Sequence, residues 1–379
     1  MLNKRLIIFI LAISGVLIIA GFILWLLFKT PTKIPITEKL APEEEITIPI
    51  TPQTEGEFTI FKLSDVAVIS PIISYNKVLY YSKLNGNVLK TDFEGKSIQP
   101  LTNIAIPNLI TTVWSFDKSQ TINIYQENDV VKKVLFDFAS QKATQLDSKI
   151  KSVSFAPNQN KIAYQFIDDS LGKNTLTIAD SNGLNWKDIF NIRMENIRLY
   201  WTKDNLLTLT SAPSGIVKGS ALTIDTTPKI ISLKKLISDI YGLTIKYSPD
   251  GKNLIYSQTD QYGHNPTLHL IKEGGVAEKT NLNTLSDKCA FSKNNNIYCA
   301  IPKIINGSLI LPDDFYKNIA NFSDIFFKID MANNKSSIIF DPADFKYDFN
   351  ASDLNISPNE DYIIFINKKD GLLYSIKIK

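Results

Sequence analysis

The 379-residue sequence predicts an all-β fold assembled from one repeated antiparallel sheet, and three observations carry that expectation. A strand–turn–strand phrase recurs seven times. Its recurrences are spaced at roughly the length of one four-stranded sheet, about 40 to 45 residues. Helical periodicity is weak throughout, whereas β-branched and aromatic residues crowd the runs beside each turn, as suits a pleated surface packed on both faces. Together these predict a seven-bladed β-propeller.

The phrase is fullest at Tyr247-Ser248-Pro249-Asp250-Gly251-Lys252-Asn253-Leu254-Ile255-Tyr256. Proline presets φ for a tight turn, Asp or Asn can hydrogen-bond the nearby backbone, and Gly tolerates positive φ. The residue before each turn is read as Ile69, Phe116, Phe155, Trp201, Tyr247, Phe291 and Ile356, at intervals of 47, 39, 46, 46, 44 and 65 residues. The last interval is long and must hold an insertion at about residues 302–323. A short stretch at 231–240 could make a few helical turns between repeats. The chain ends on 371–378, which reads as a third strand, so residues 58–63 from the other end are expected to pair beside it and close the ring.

At Tyr247-Ser248-Pro249-Asp250-Gly251-Lys252, and with substitutions at Phe155-Ala156-Pro157-Asn158 and Ile356-Ser357-Pro358-Asn359, the chain resembles the TolB-type, WD40-like (PD40) β-propeller repeat. The resemblance covers residues 58–379. It implies the fold and leaves function open, because such propellers serve as scaffolds, peptide-binding subunits and hydrolase accessory domains alike.

Residues 1–5 form a short flank carrying Lys4 and Arg5, and from Leu6 to Phe28 there are 23 residues without a charge. That length suffices to cross a bilayer core, which needs about 20. A cleaved signal peptide would have a shorter apolar core and a small-residue cleavage site. The run is therefore read as a single-pass signal anchor, with the N-terminus cytoplasmic and the propeller extracytoplasmic. Trp25 suits the interfacial aromatic belt. Residues 29–57 contain Pro31, Pro35, Pro42, Pro49 and Pro52 with few large apolar side chains, and are expected to act as an extended spacer.

The chemistry read from the residues is mostly exclusion. Net charge is only +3 and no basic run is present, which argues against a nucleic-acid partner. His264 and His269 are the only histidines, on or near one strand, and the expected reading is two surface residues rather than a triad or metal cluster. There is no Gly-x-Ser-x-Gly elbow, sialidase Asp-box or phosphate-cradling glycine pattern. Asp204 and Asp250 could line a calcium site, but turn formation explains them. No metal or other cofactor is expected.

Two features are positive. If Phe291 pairs with Ile297 across its hairpin, Cys289 and Cys299 also face each other. That register permits a disulfide in an oxidising compartment, the alternative being two buried thiols. The insertion carries Asp313, Asp314, Phe315 and Tyr316, acids beside aromatics that suit peptide or sugar contact if at least one ring is exposed. The alternative is that both rings tuck onto the blade edge. The expected function is a non-catalytic, membrane-anchored binding or scaffold module of the bacterial envelope, for a protein, peptide or glycan. The other class is a propeller enzyme, of lyase or glycosidase type, with its site at the central channel.

Overall fold

The computed structural model describes residues 58–102, 104–227, 231–333 and 335–378. The segments read as anchor and spacer, 6–28 and 29–57, lie outside them. Among the described residues no helix is long and apolar enough to cross a membrane.

Antiparallel pairing joins the described strands into six sheets, five of four strands and one of seven. The seven-stranded sheet is two four-stranded units sharing Leu233–Tyr247, whose early residues pair with Gly219–Asp225 and late residues with Leu254–Thr259. The stretch weighed as helical is therefore extended. It has strand partners on both sides, and Asp239 and Gly242 adopt positive φ where it changes direction.

Each unit begins with an inner strand. Val68–Ser74, the first, touches both Leu109–Trp114 of the second unit and Ala351–Ile356 of the last. The last unit takes its outer strand from the other end of the chain: Thr59–Lys62 pairs with Leu373–Lys377, matching Ile60 with Ile376 and Phe61 with Ser375. The cores lie between consecutive sheets. Tyr298 and Phe326 of the sixth unit pack with Ile363 and Phe365 of the seventh, and Val78 and Tyr80 of the first pack with Ile364 and Leu373.

Three of the seven turns sit elsewhere than expected; the strand that holds Trp201 runs on to Lys203 and the chain reverses at Asp204-Asn205. Ile69-Ser70-Pro71 lies within Val68–Ser74, where the register shifts at a bulge and Ser70 has a φ of 49°. The chain reverses instead at Tyr75-Asn76. In the second unit the strand ends on Trp114, and the exposed Phe116 belongs to the turn. The turn hydroxyl is Ser115, which donates to Asp117 at 2.7 Å and accepts from the Gln120 amide at 2.9 Å. Ser248 makes the same two bonds, to Asp250 and from Asn253. The shared device is a serine that holds both the turn carboxylate and the departing strand.

Cys289 lies directly opposite Cys299, Phe291 opposite Ile297, and the two sulfurs are bonded at 2.09 Å. Beside them Glu360 fills the turn position that Gly251 holds in the fifth unit, with a φ of 55°. Its carboxylate accepts from Tyr298 at 2.7 Å, Lys328 at 3.0 Å and the Asn294 and Asn296 amides, tying the sixth unit to the seventh. Burial opposes ionisation there, but these donors outweigh it and hold the pKa at about 2.

Two expectations follow. Glu360 is lowered on folding, so its contribution is complete above the unfolded pKa and disappears as pH falls through the folded one. Urea midpoints should drop between roughly pH 5 and 2, less steeply in Glu360→Gln, and Glu360→Ala should cost about 3 kcal/mol at pH 7. Intact mass after alkylation without reductant should show no modified thiol. Cys289→Ala with Cys299→Ala should lose at most ~3 kcal/mol, the closure entropy of a ten-residue loop.

Candidate functional site

The insertion directs attention to one mouth of the central channel. The strands of the sixth unit end at Pro302 and resume at Asp324, and the chain between them makes one helical turn, Asp313–Tyr316. It does not hang free. Asp313 accepts the Gly215 amide at 2.6 Å, the Leu311 amide donates to Gly263 at 2.8 Å, and Asp314 accepts the Ile310 amide at 2.8 Å. A Cβ on Gly215 would meet the Leu311 carbonyl at 2.4 Å, so only glycine lets the insertion lie this close to the fourth unit.

Of the two alternatives for the insertion's aromatics, exposed or tucked in, the helical turn shows the tucked one. Phe315 is only 2% exposed, packed with Leu285, Leu311, Ala320 and Phe322, and Tyr316 is half-buried. The physical reason is the apolar company the insertion brings, which can be buried only by folding down onto the sheets. Asp313 and Asp314 are likewise spent on backbone amides.

Lys288 fixes this arrangement from below. Its side chain is fully buried, and its ammonium donates to Asp324 at 2.8 Å, the Ala351 carbonyl at 2.8 Å and Asn350 at 3.1 Å. The Phe315 and Phe322 rings lie 5.1 and 5.2 Å away. Burial pushes the ammonium down and the Asp324 carboxyl up. Three acceptors match the three N–H donors, which keeps the proton on lysine.

Above this pair, residues from separate units converge. The Tyr316 hydroxyl donates to Asp287 at 2.7 Å and accepts from Arg198 at 3.1 Å, with the guanidinium 4.8 Å above its ring. Burial, then the Asp287 carboxylate, hold the phenol well above its ordinary pKa. Lys246 donates to the Cys289 carbonyl at 2.5 Å, and burial lowers its pKa against the opposing pull of Asp287 and Asp353. Asp353 is the bulged residue of its inner strand, exposed and with a φ of 51°. A bulge re-aims a side chain, and here the many protein atoms around the carboxyl raise its pKa by partial desolvation while Lys246 opposes the rise. Lys368 stands 4.3 Å over the Phe315 ring.

None of Arg198, Lys246, Asp287, Asp353 or Lys368 was singled out from the sequence. The available signal was a charge inside a strand whose neighbours are apolar, as in Ile245-Lys246-Tyr247. His264 and His269 stay in the fifth unit. His264 lies in the turn held by Asp260 and His269 stacks on Tyr256 at 4.8 Å, and both are half-buried rather than on the surface. Asp250 accepts from Ser248, the Lys252 amide and Asn295, and Asp204 accepts from Asn158, the bonding of turn residues. Among the described residues no group of three or more His, Cys, Asp or Glu is placed to hold a metal ion.

No family model matches the chain, and no curated protein matches it. Solved structures do. An oligogalacturonate lyase from Vibrio parahaemolyticus is similar at 10% identity and a TM-score of 0.56, over 85% of this chain and 96% of that one. The Cps50 (Swd1) β-propeller domain of Myceliophteria thermophila gives 10% identity and 0.56, over 85% and 100%. The β-propeller domain of the Trilobed protease from Pyrococcus furiosus gives 11% and 0.52, over 82% and 94%. The chain spans only 34% of the tricorn protease, which it matches at 12% identity and 0.50. At these identities the likeness shows the β-propeller fold alone.

Phe315→Ala is expected to cost ~3–5 kcal/mol in urea unfolding, the loss typical of a buried ring. Tyr316→Phe keeps the ring but strands Asp287 and Arg198, and should cost about 1–3 kcal/mol.

Proposed function

We propose that this chain is a non-catalytic binding module, a seven-bladed propeller of TolB type held outside a bacterial cell membrane by residues 6–28 and presented on the 29–57 spacer. The uncharged 23-residue run and the proline-rich segment after it support the anchoring. The seven four-stranded units, with the first beside the last, support the blade count. The ligand class is a protein, peptide or glycan of the envelope.

One observation carries the binding reading. The groups that converge in the channel are matched to one another, Tyr316 with Asp287 and Arg198, Lys246 with a carbonyl and two nearby carboxylates, and the insertion is built into the same network. Such a wall is rigid and preorganised, which favours recognition over proton traffic. Asp313, Asp314, Phe315 and Tyr316 serve it by shaping one mouth rather than by touching ligand with exposed rings.

A second reading, a channel enzyme, has one observation in its favour. Asp353 is open to water with a raised carboxyl pKa, beside Lys246 with a lowered one, and opposite shifts of this kind accompany acid–base chemistry.

One experiment separates them. The full chain in detergent is incubated with envelope peptide and glycan fractions, and the bound and free material is compared by mass spectrometry. The binding reading expects ligand recovered chemically unchanged and at stoichiometric occupancy. Time-dependent product that disappears in Asp353→Asn would replace it with the enzyme reading.

A further inference from the structure

The mouth on the opposite side from the insertion, where the inner strands end in their turns, holds a cleft of about 360 Å³. Its lining comes from units that are not all neighbours in sequence. Ile72 belongs to the first unit, Lys118 to the second, Lys246 to the fifth, Phe291 and Lys293 to the sixth, and Leu354 to the seventh. Two properties stand out. Three lysines line the cleft and no carboxylate does. The remaining lining is dominated by aliphatic, aromatic and proline side chains.

The acids that act on these lysines stand outside the cleft. Lys118 donates to the Phe116 carbonyl and has no ion pair among the described residues, and burial lowers its pKa against the opposing pull of Asp117, which lies outside the lining. Lys246 also lines the cleft, and its compensating acids Asp287 and Asp353 lie outside the lining. Lys293 is exposed at the rim. Partly desolvated ammonium groups whose counter-charges all lie outside the cleft attract an anion from within it, and apolar walls strengthen that attraction by excluding water. The apolar side chains select what must carry the anion. A sugar or a bare inorganic ion would leave Ile72, Phe291 and Leu354 against polar groups or water.

Shape narrows the choice further. The cleft has room for about two or three residues, within the usual range of small-ligand sites but far too small for a folded domain. The insertion and its Tyr316–Arg198–Asp287 bonds stand at the opposite mouth, which favours a chain end over a loop passing through. An end of a chain can enter.

We infer that this cleft is a receptor for the free C-terminus of a peptide ending in apolar residues, its carboxylate between Lys246 and Lys118 and its last side chains against Ile72, Phe291 and Leu354. The inference rests on the binding reading above and names its ligand chemistry.

The test uses the full chain in detergent and fluorescein-labelled heptapeptides ending in Leu or Phe, each as free acid and as C-terminal amide, read by anisotropy. The free acids should bind at least tenfold more tightly than the amides. Lys118→Gln and Lys293→Gln should each weaken the acids at least threefold, leave the amides unchanged, and keep the wild-type melting temperature. Rising salt should narrow the acid–amide gap. Equal affinity for acid and amide, indifference to both lysine variants, or no binding of either peptide would overturn the inference. Octanoate binding while no peptide acid does would also overturn it, by assigning the cleft to a small carboxylate. If envelope ligands are still captured unchanged in any of these cases, the binding reading stands without this ligand.

Discussion

The ring depends on one strand pairing made between the two ends of the described chain. Thr59–Lys62 adds to Leu373–Lys377, and without it the last sheet would present an unpaired edge and an uncovered face. Closure over more than 300 residues costs roughly 3 kcal/mol more entropy than a ten-residue hairpin. The return is collective. Leu63, Phe61 and Tyr362 pack together across the closure, and the Leu63 amide donates to the Leu373 carbonyl at 2.7 Å, so the first and last units share one core. Every other unit then has a neighbour on each face, and the inner strands are held around a common axis.

That geometry explains why the insertion folds down. A long loop between middle strands emerges beside the channel mouth, close to the equivalent loops of the fourth and fifth units at Gly215 and Gly263. With apolar Leu309, Leu311, Phe315 and Phe322 to bury, its lowest free energy lies against the sheets. The buried Lys288 then has aromatic faces above it and the Asp324 carboxylate beside it. One mouth is thereby occupied by the protein itself, while the other keeps its lysines.

The fold was legible in the sequence because its turns are local chemistry. Serine, proline, Asp and Gly near one another dictate a reversal without help from the rest of the chain, and the 65-residue interval marked the insertion. The Cys289–Cys299 register followed from period-two geometry alone. The misplacements have the same origin. Phe116 is an aromatic two residues beyond Trp114, and only the hydrogen bonds of Ser115 reveal which one ends the strand. Ile69-Ser70-Pro71 has turn residues, yet Ser70 uses its positive φ for a bulge and its hydroxyl to accept the Thr112 amide of the next unit. The stretch at 231–240 is strand because two partner strands claim it, a tertiary fact. The channel residues were hard to read for a stronger reason: Arg198, Lys246, Asp287 and Asp353 are far apart in the chain, and a charge between apolar strand neighbours, the one local signal, does not say which other units it meets.

The central claim is that ligand is taken at the lysine-bearing mouth while the insertion closes the other. Site-specific photo-crosslinking in the full chain tests it most directly, with a benzophenone side chain placed at Ile72 in the open cleft or at Ile319, which is 59% exposed on the insertion. Covalent capture of bound ligand from position 72 and none from position 319 is the predicted result. Capture from 319 with none from 72 would contradict the account.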